Sequence, residues 1–175
     1  MLIRLASGDD AALWQAIRLE ALQNHPEAFG SSYQEERDMP LATVAAKLID
    51  PLNRVWVAEE GGQLLGTATA RRESAAKARH RTSLFAMYVV PSARQRGIGR
   101  QLVEAVIRSA RDELEADWLQ LGVERNNQAA FTLYQRLGFV SWGCEPDSLR
   151  VNGQSYDEYH MALDLRATRT HAGGA

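Results

Sequence analysis

Runs of alternating, helically spaced and aperiodic positions divide this chain into short elements. "LIRLA" at 2–6 reads as a strand, and Ser7 followed three residues later by Asp10 is a capping signal for a helix. Leu13, Trp14, Ile17, Ala21 and Leu22 then recur at helical spacing, until Pro26 disfavours helix at His25. Residues 25–39 lack a period and predict a loop. "LATVAAKLI" at 41–49 predicts a second helix, stopped before Pro51.

"RVWVAEEGGQLLGTATARR" sets two strand patterns on either side of Gly61-Gly62, a hairpin signal. "ESAAKARHR" at 73–81 predicts a polar loop. "SLFAMYVV" at 83–90 is apolar almost throughout, which predicts a central strand covered on both faces. Ile98, Leu102, Val103, Ala105, Val106, Ile107 and Ala110 form a helical stripe. "WLQLGV" at 118–123 predicts a strand, and "NQAAFTLYQRL" at 127–137 a helix closed by Gly138. "FVSWGC" and "YDEYHMALDL" predict the last two strands.

The resulting order is β-α-α-β-β-β-α-β-α-β-β. Hairpins at both ends predict antiparallel pairing. The β-α-β unit from 83 to 123 demands a parallel pair. The fold class is therefore α/β with a mixed sheet. The reading gives one domain over residues 1–166 and a small, polar, disordered tail over 167–175.

Composition narrows the function classes. The chain has 175 residues, 45% hydrophobic and 24% charged, and a net charge of −2. That balance gives no general attraction to nucleic acid or to an anionic membrane. Its single cysteine, Cys144, cannot form an internal disulfide, and no metal-ligand spacing is present. Cys144 reads as a small buried apolar residue. The first residues lack a signal-peptide core, and no run approaches the ~18 apolar residues of a membrane span. A cytoplasmic protein is the expectation.

Against this background "VVPSARQRGIGRQLVEAVI" at 89–107 stands out. Arginines and glycines crowd the mouth of a helix. From Pro91 to Arg111 there are five arginines (94, 96, 100, 108 and 111) and one acid, Glu104, a local charge of +4. The first N–H groups of a helix have no partner within it and carry the positive end of its dipole. A strand, a glycine turn and a helix start therefore suit an anion. Gly97 and Gly99 would let a phosphate approach the backbone, and Arg94, Arg96 and Arg100 could add charged bonds. The glycine spacing fits neither a Walker A loop nor the dinucleotide fingerprint, because position 102 is Leu.

A second constellation lies in "LQLGVERNNQAAFTLYQRLGFV" at 119–140. Asn127 opens a helix, and Tyr134, two turns on, shares its face. Such positions sit near the carboxyl end of the sheet, where ligands commonly bind. On the residues alone, Asn127 reads first as a plain helix cap and Tyr134 as a core aromatic.

The two motifs together resemble the GNAT acetyltransferase superfamily. Arg94-Gln95-Arg96-Gly97-Ile98-Gly99 is similar to its acyl-CoA loop, (Q/R)-x-x-G-x-(G/A), after the central strand. "VERNNQAAFTLYQRLGF" is similar to its downstream signature. The resemblance implies a mostly antiparallel sheet with a central parallel pair splayed for acyl-CoA, flanked by about four helices. It implies acetyl-CoA as cofactor and acetyl transfer to a primary amine of a small molecule or peptide, by direct attack in a ternary complex. The alternative on the same fold is a non-catalytic acyl-CoA binder.

The resemblance also assigns residues. Backbone groups at Met87, Val89 and Val90 would pair with the acetyl and pantetheine amides. Amides from Arg96 through Arg100 and Gln101 to Leu102 would cradle the pyrophosphate. Asn127 would contact CoA, and Tyr134 would protonate the departing thiolate. Some family members carry a glutamate in the central strand, where this chain has Phe85. Others carry one before the last valine of the next strand, where this chain has Gly122. Glu124, Glu73, Tyr88 and His160 remain candidates for the base. Asp157, Glu158 and His160 of the final strand, and the acids of the 25–39 loop, read as solvated polar positions or as acceptor contacts. Dimers are common in that family, although no interface is legible in the sequence.

Overall fold

The computed structural model describes residues 1–166. The expected tail at 167–175 lies outside the described residues. Seven strands form one sheet: β1 (Leu2–Leu5), β2 (Asn53–Glu60), β3 (Gln63–Arg72), β4 (Arg81–Val89), β5 (Trp118–Glu124), β6 (Val140–Val151) and β7 (Gln154–Asp164). Five helices accompany them: α1 (Ala11–Asn24), α2 (Tyr33–Glu36), α3 (Leu41–Leu48), α4 (Ile98–Asp112) and α5 (Gln128–Arg136). The spatial order is β1-β2-β3-β4-β5-β7-β6. Among the described residues only β4 and β5 run parallel.

Local chemistry accounts for several element ends. The Asp10 carboxylate accepts from the Ser7 N–H at 2.7 Å, as the capping signal predicts. Gly61 and Gly62 have φ of 59° and 76°, the pair of positive values that a two-residue hairpin turn needs. Gly138 closes α5 at φ 93°.

The α4 stripe is buried in the main core. Ile98, Leu102, Val103, Val106 and Ala110 are at most 1% exposed and pack against Ala68, Leu84 and Leu119 of the sheet. On the opposite face, Ile17 and Ala21 of α1 cover Val57 and Tyr88, and Val44 and Leu48 of α3 cover Val55.

Several sequence expectations need correction, and Cys144, expected to be buried, is exposed. The segment 25–39 is not wholly loop, because Ser32 and Glu35 form a reciprocal capping box that starts α2. The last hairpin is longer than the two apolar runs, because Asn152-Gly153, both at positive φ, pairs the polar stretches flanking it. The central strand is not covered on both faces, since Phe85 is 51% exposed. In addition, Leu13 of α1 faces away from the sheet at 44% exposure, although it fits the apolar period.

Candidate active site

The parallel pairing of β4 and β5 lasts for three residues, from Arg81 opposite Trp118 to Ser83 opposite Gln120. Beyond it β4 runs on to Val89 and β5 to Glu124 without pairing each other. One cause is visible in β4. Thr67 pairs with Tyr88 and Thr69 with Phe85, so one residue of β3 opposes two of β4. This bulge holds Ala86 at φ 50° and turns the strand away from β5. A cleft of about 1490 Å³ opens at the divergence.

One wall is the start of α4. Gln95 at φ 63° and Gly97 at φ 76° turn the chain from β4 into the helix. The N–H of Gln101 bonds the Gly97 carbonyl at 3.2 Å, so the groups without a helical acceptor end at Arg100. The expected cradle is therefore one turn, not the whole stretch to Leu102. The Val90 N–H is already taken by the Leu65 carbonyl at 3.0 Å, and its carbonyl accepts from Ala93 but keeps a second lone pair. Met87, Val89, Arg94, Gln95, Gly97, Ile98, Gly99 and Arg100 do line the cleft.

The arginines of this turn do not simply repel one another. Arg96 forms two bonds to Glu60 at 2.8 and 3.0 Å, and Arg100 pairs with Glu104 at 2.8 Å. Arg94 donates to the Val89 carbonyl at 3.1 Å and lies over the Tyr88 ring. Arg100 remains 69% exposed at its side chain and borders the cleft, whereas Arg96 and Gln101 do not line it.

The opposite wall is α5. Asn127 is its cap, and Oδ1 accepts from the Ala130 N–H at 3.2 Å. The capping reading holds, and Nδ2 of Asn127 keeps its donor capacity beside the cleft. Tyr134 is 5% exposed and meets Phe139 edge-on at 5.7 Å. Burial pushes its phenol above the ordinary value. Tyr134 is thus a core aromatic that also reaches the cleft.

The remaining wall is the face of β5 and β7 that α1 and α3 do not cover. Gly122, Glu124, Glu158 and His160 line it. Glu124 is buried, and its Oε1 accepts from both the N–H and Nδ2 of Asn126 at 3.0 Å. Glu158 Oε2 accepts from Ser148 at 2.7 Å. His160 Nε2 lies 2.7 Å from Glu145 Oε2, and its ring stacks on Trp142. Tyr88 donates to Glu20 at 2.9 Å, and burial pushes its phenol up, which does not suit a base. Glu73 does not line the cleft.

Sequence reasoning missed part of the cleft lining. Arg18, held by Glu36 at 2.8 Å and stacked on Phe29, also borders the cleft. The hairpin carrying Glu158 and His160 is not an edge pair of equals. Its β6 is the edge, while β7 lies inside, against β5. Alternation of polar residues at 158 and 160 was the available signal.

Comparison with known proteins bears on this arrangement. Residues 14–139 match the family model described as the acetyltransferase (GNAT) family. A mycothiol acetyltransferase of Salinispora tropica is 30% identical over 142 residues, 79% of this chain and 43% of that protein. The chain thus spans less than half the length of such curated relatives. An acetyltransferase structure from Salmonella typhimurium, solved with its cofactor acetyl-CoA, superposes with a TM-score of 0.83 at 26% identity, covering 100% of this chain and 98% of that one. A ribosomal-protein-alanine N-acetyltransferase from Brucella melitensis gives 0.82 at 28% identity, covering 94% of this chain and 100% of that one.

Proposed function

This chain belongs to the GNAT acetyltransferase family, and from that premise we propose that it is an acetyl-CoA-dependent N-acetyltransferase. The acceptor is a primary amine of a small molecule or peptide, attacked directly in a ternary complex. Residues 1–166 form the acetyltransferase domain. The observation that carries this reading is the divergence of β4 and β5 after three pairs, with an anion-suited helix start on one wall and a buried phenol on the other.

Acetyl-CoA supplies a thioester-activated acetyl group. The chain's own groups do the rest. The N–H groups at the start of α4, with Arg100 beside them, suit the pyrophosphate. The bulge at Ala86 disrupts the β4 ladder beside Met87 and frees backbone groups there from strand pairing. A backbone N–H aimed at the developing oxyanion contributes about 3 kcal/mol. Tyr134, kept protonated by burial, holds a proton for the departing sulfur. Asn127 Nδ2 is a donor for the CoA arm.

A relative named as a mycothiol acetyltransferase and a structural neighbour named as a ribosomal-protein-alanine N-acetyltransferase support acetyl transfer as the reaction class. The lone Cys144 fits a reducing compartment, and we place the protein in the cytoplasm. The competing reading, an acyl-CoA binder without catalysis, leaves the Tyr134 hydroxyl and the acidic wall without a task. Thiol release from acetyl-CoA, measured against a polyamine, an amino sugar, free amino acids and a dipeptide, separates the two. Transfer to at least one amine is expected. Tight CoA binding with transfer to none overturns the enzyme reading.

A further inference from the structure

The carboxylate that some relatives carry on β5 is missing here, because position 122 is glycine. Its space is not empty. A Cβ built at Gly122 would stand 3.3 Å from Glu158 Oε1 and 3.5 Å from Cδ and Oε2. The Glu158 side chain, reaching across from β7, therefore occupies the volume in which a β5 side chain would begin. The two strands pair antiparallel, with Gly122 opposite His160 and Glu124 opposite Glu158, so all four residues share one face, and that face lines the cleft.

We propose that Glu158 takes the amine's proton, so that the base of this enzyme is provided by β7 and not by β5. The inference rests on the acetyltransferase reading above. The other candidates are committed elsewhere. Glu124 Oε1 is held by two donors from Asn126, His160 is paired with Glu145, and Tyr88 donates to Glu20. Glu124 is also buried at 6% exposure, whereas Glu158 is only half-buried and is anchored through Oε2 alone. Ser148 donates to Oε2, which fixes the carboxylate, while Oε1, the atom nearest Gly122, has no protein donor among the described residues.

Charge supports the same placement. Glu124, Glu158 and Glu145 are direct ladder partners across β5, β7 and β6. Like charges opposite one another destabilise a sheet. An amine arriving as a cation offsets that repulsion and is drawn to this row. Once it is neutral, its nitrogen lone pair forms the bond to the acetyl carbon. The carbon–sulfur bond breaks with its electron pair on sulfur, which takes the Tyr134 proton. The nitrogen's proton passes to Glu158 and returns through solvent to the Tyr134 oxygen. Counted from the ammonium, which first gives one proton to bulk water, the net change is one amide, one thiol and one proton released.

The test compares wild type, Glu158→Gln and the double variant Gly122→Glu/Glu158→Ala, which moves the carboxylate back to β5. The acceptor is the amine of the above panel with the highest turnover. Glu158→Gln keeps an acceptor for Ser148, so melting temperature and CoA affinity should stay unchanged while kcat falls about 100-fold or more. The relocated carboxylate should recover at least tenfold of that loss. A second readout needs no turnover: calorimetric titration of the same amine into CoA-saturated protein should show weaker binding to Glu158→Gln. Wild-type transfer with Glu158→Gln retaining near-full kcat overturns the Glu158 assignment. Loss of kcat that the relocated carboxylate does not restore, with amine binding unaltered, also overturns it. Absence of transfer in wild type itself overturns the acetyltransferase reading beneath it.

Discussion

Gly99 sits against Met87 so closely that a Cβ at position 99 would lie 3.0 Å from the Met87 Cε. The glycine lets the first turn of α4 lean on the bulged end of β4, and it is this contact that shapes the anion wall. Leu133 of α5, 3.6 Å from the same point, completes the junction. The second glycine of the turn therefore serves packing between α4, β4 and α5 before it serves a ligand.

Substitution at 99 should grade with size. Gly99→Ala asks only the flexible end of Met87 to move, so the melting temperature should hold. Gly99→Val should push α4 from β4 and weaken acetyl-CoA binding about tenfold, or ~1.4 kcal/mol. Calorimetric titration of acetyl-CoA into each variant checks this, and equal affinity in both would remove Gly99 from the account.

Gly97 acts by a different route. Its φ of 76° is left-handed, and a Cβ there would find open space except for Gln101 Nε2 at 4.0 Å. The cost of Gly97→Ala is conformational, about 1–2 kcal/mol. In a domain of this size that lowers the melting temperature by roughly 2–8 °C. A thermal melt of the apo variant measures it.

Tyr134→Phe should separate holding the donor from using it. Phenylalanine keeps the edge contact with Phe139 and the burial, so folding should be unaffected. Turnover should drop about 100-fold with CoA affinity nearly unchanged. Steady-state kinetics beside a CoA titration check the split. An unchanged kcat would strip Tyr134 of its role as acid.

The Arg4 guanidinium grips Asp10 at 2.7 Å on both oxygens, and its hydrogen bonds hold the carboxyl at about 2, below the ordinary 3.8. A carboxyl depressed by folding contributes stability that is complete above the unfolded value and is lost as pH falls through the folded one. Asp10→Asn should therefore melt below wild type at pH 6, and the gap should close between pH 4 and pH 2. Thermal melts across that window, with salt constant, would show the convergence.

Much of this was legible from local pattern. The α4 stripe, the Gly61-Gly62 hairpin, the Asn127 cap and the Gly138 stop all follow from neighbours within a few residues. What escaped depends on distant partners. Arg96 looks free in sequence, yet its counter-charge, Glu60, lies at the end of β2. Phe85 reads as core because it is apolar, whereas exposure depends on how far α1 and α3 extend over the sheet. The nearness of Glu158 to Gly122 rests on β5–β7 register, which strand periodicity cannot supply. Only the swap of order that places β7 inside β6 brings the two together.

The central claim is that the β4–β5 divergence holds acetyl-CoA for transfer to an amine. Its most direct test is to incubate the purified chain with acetyl-CoA and the amine panel, quantifying free thiol and acetylated amine in one sample by mass spectrometry. The account expects one molecule of N-acetyl product for each thiol released, with at least one amine. Thiol release without acetylated amine, or no release despite saturating acetyl-CoA, would contradict it.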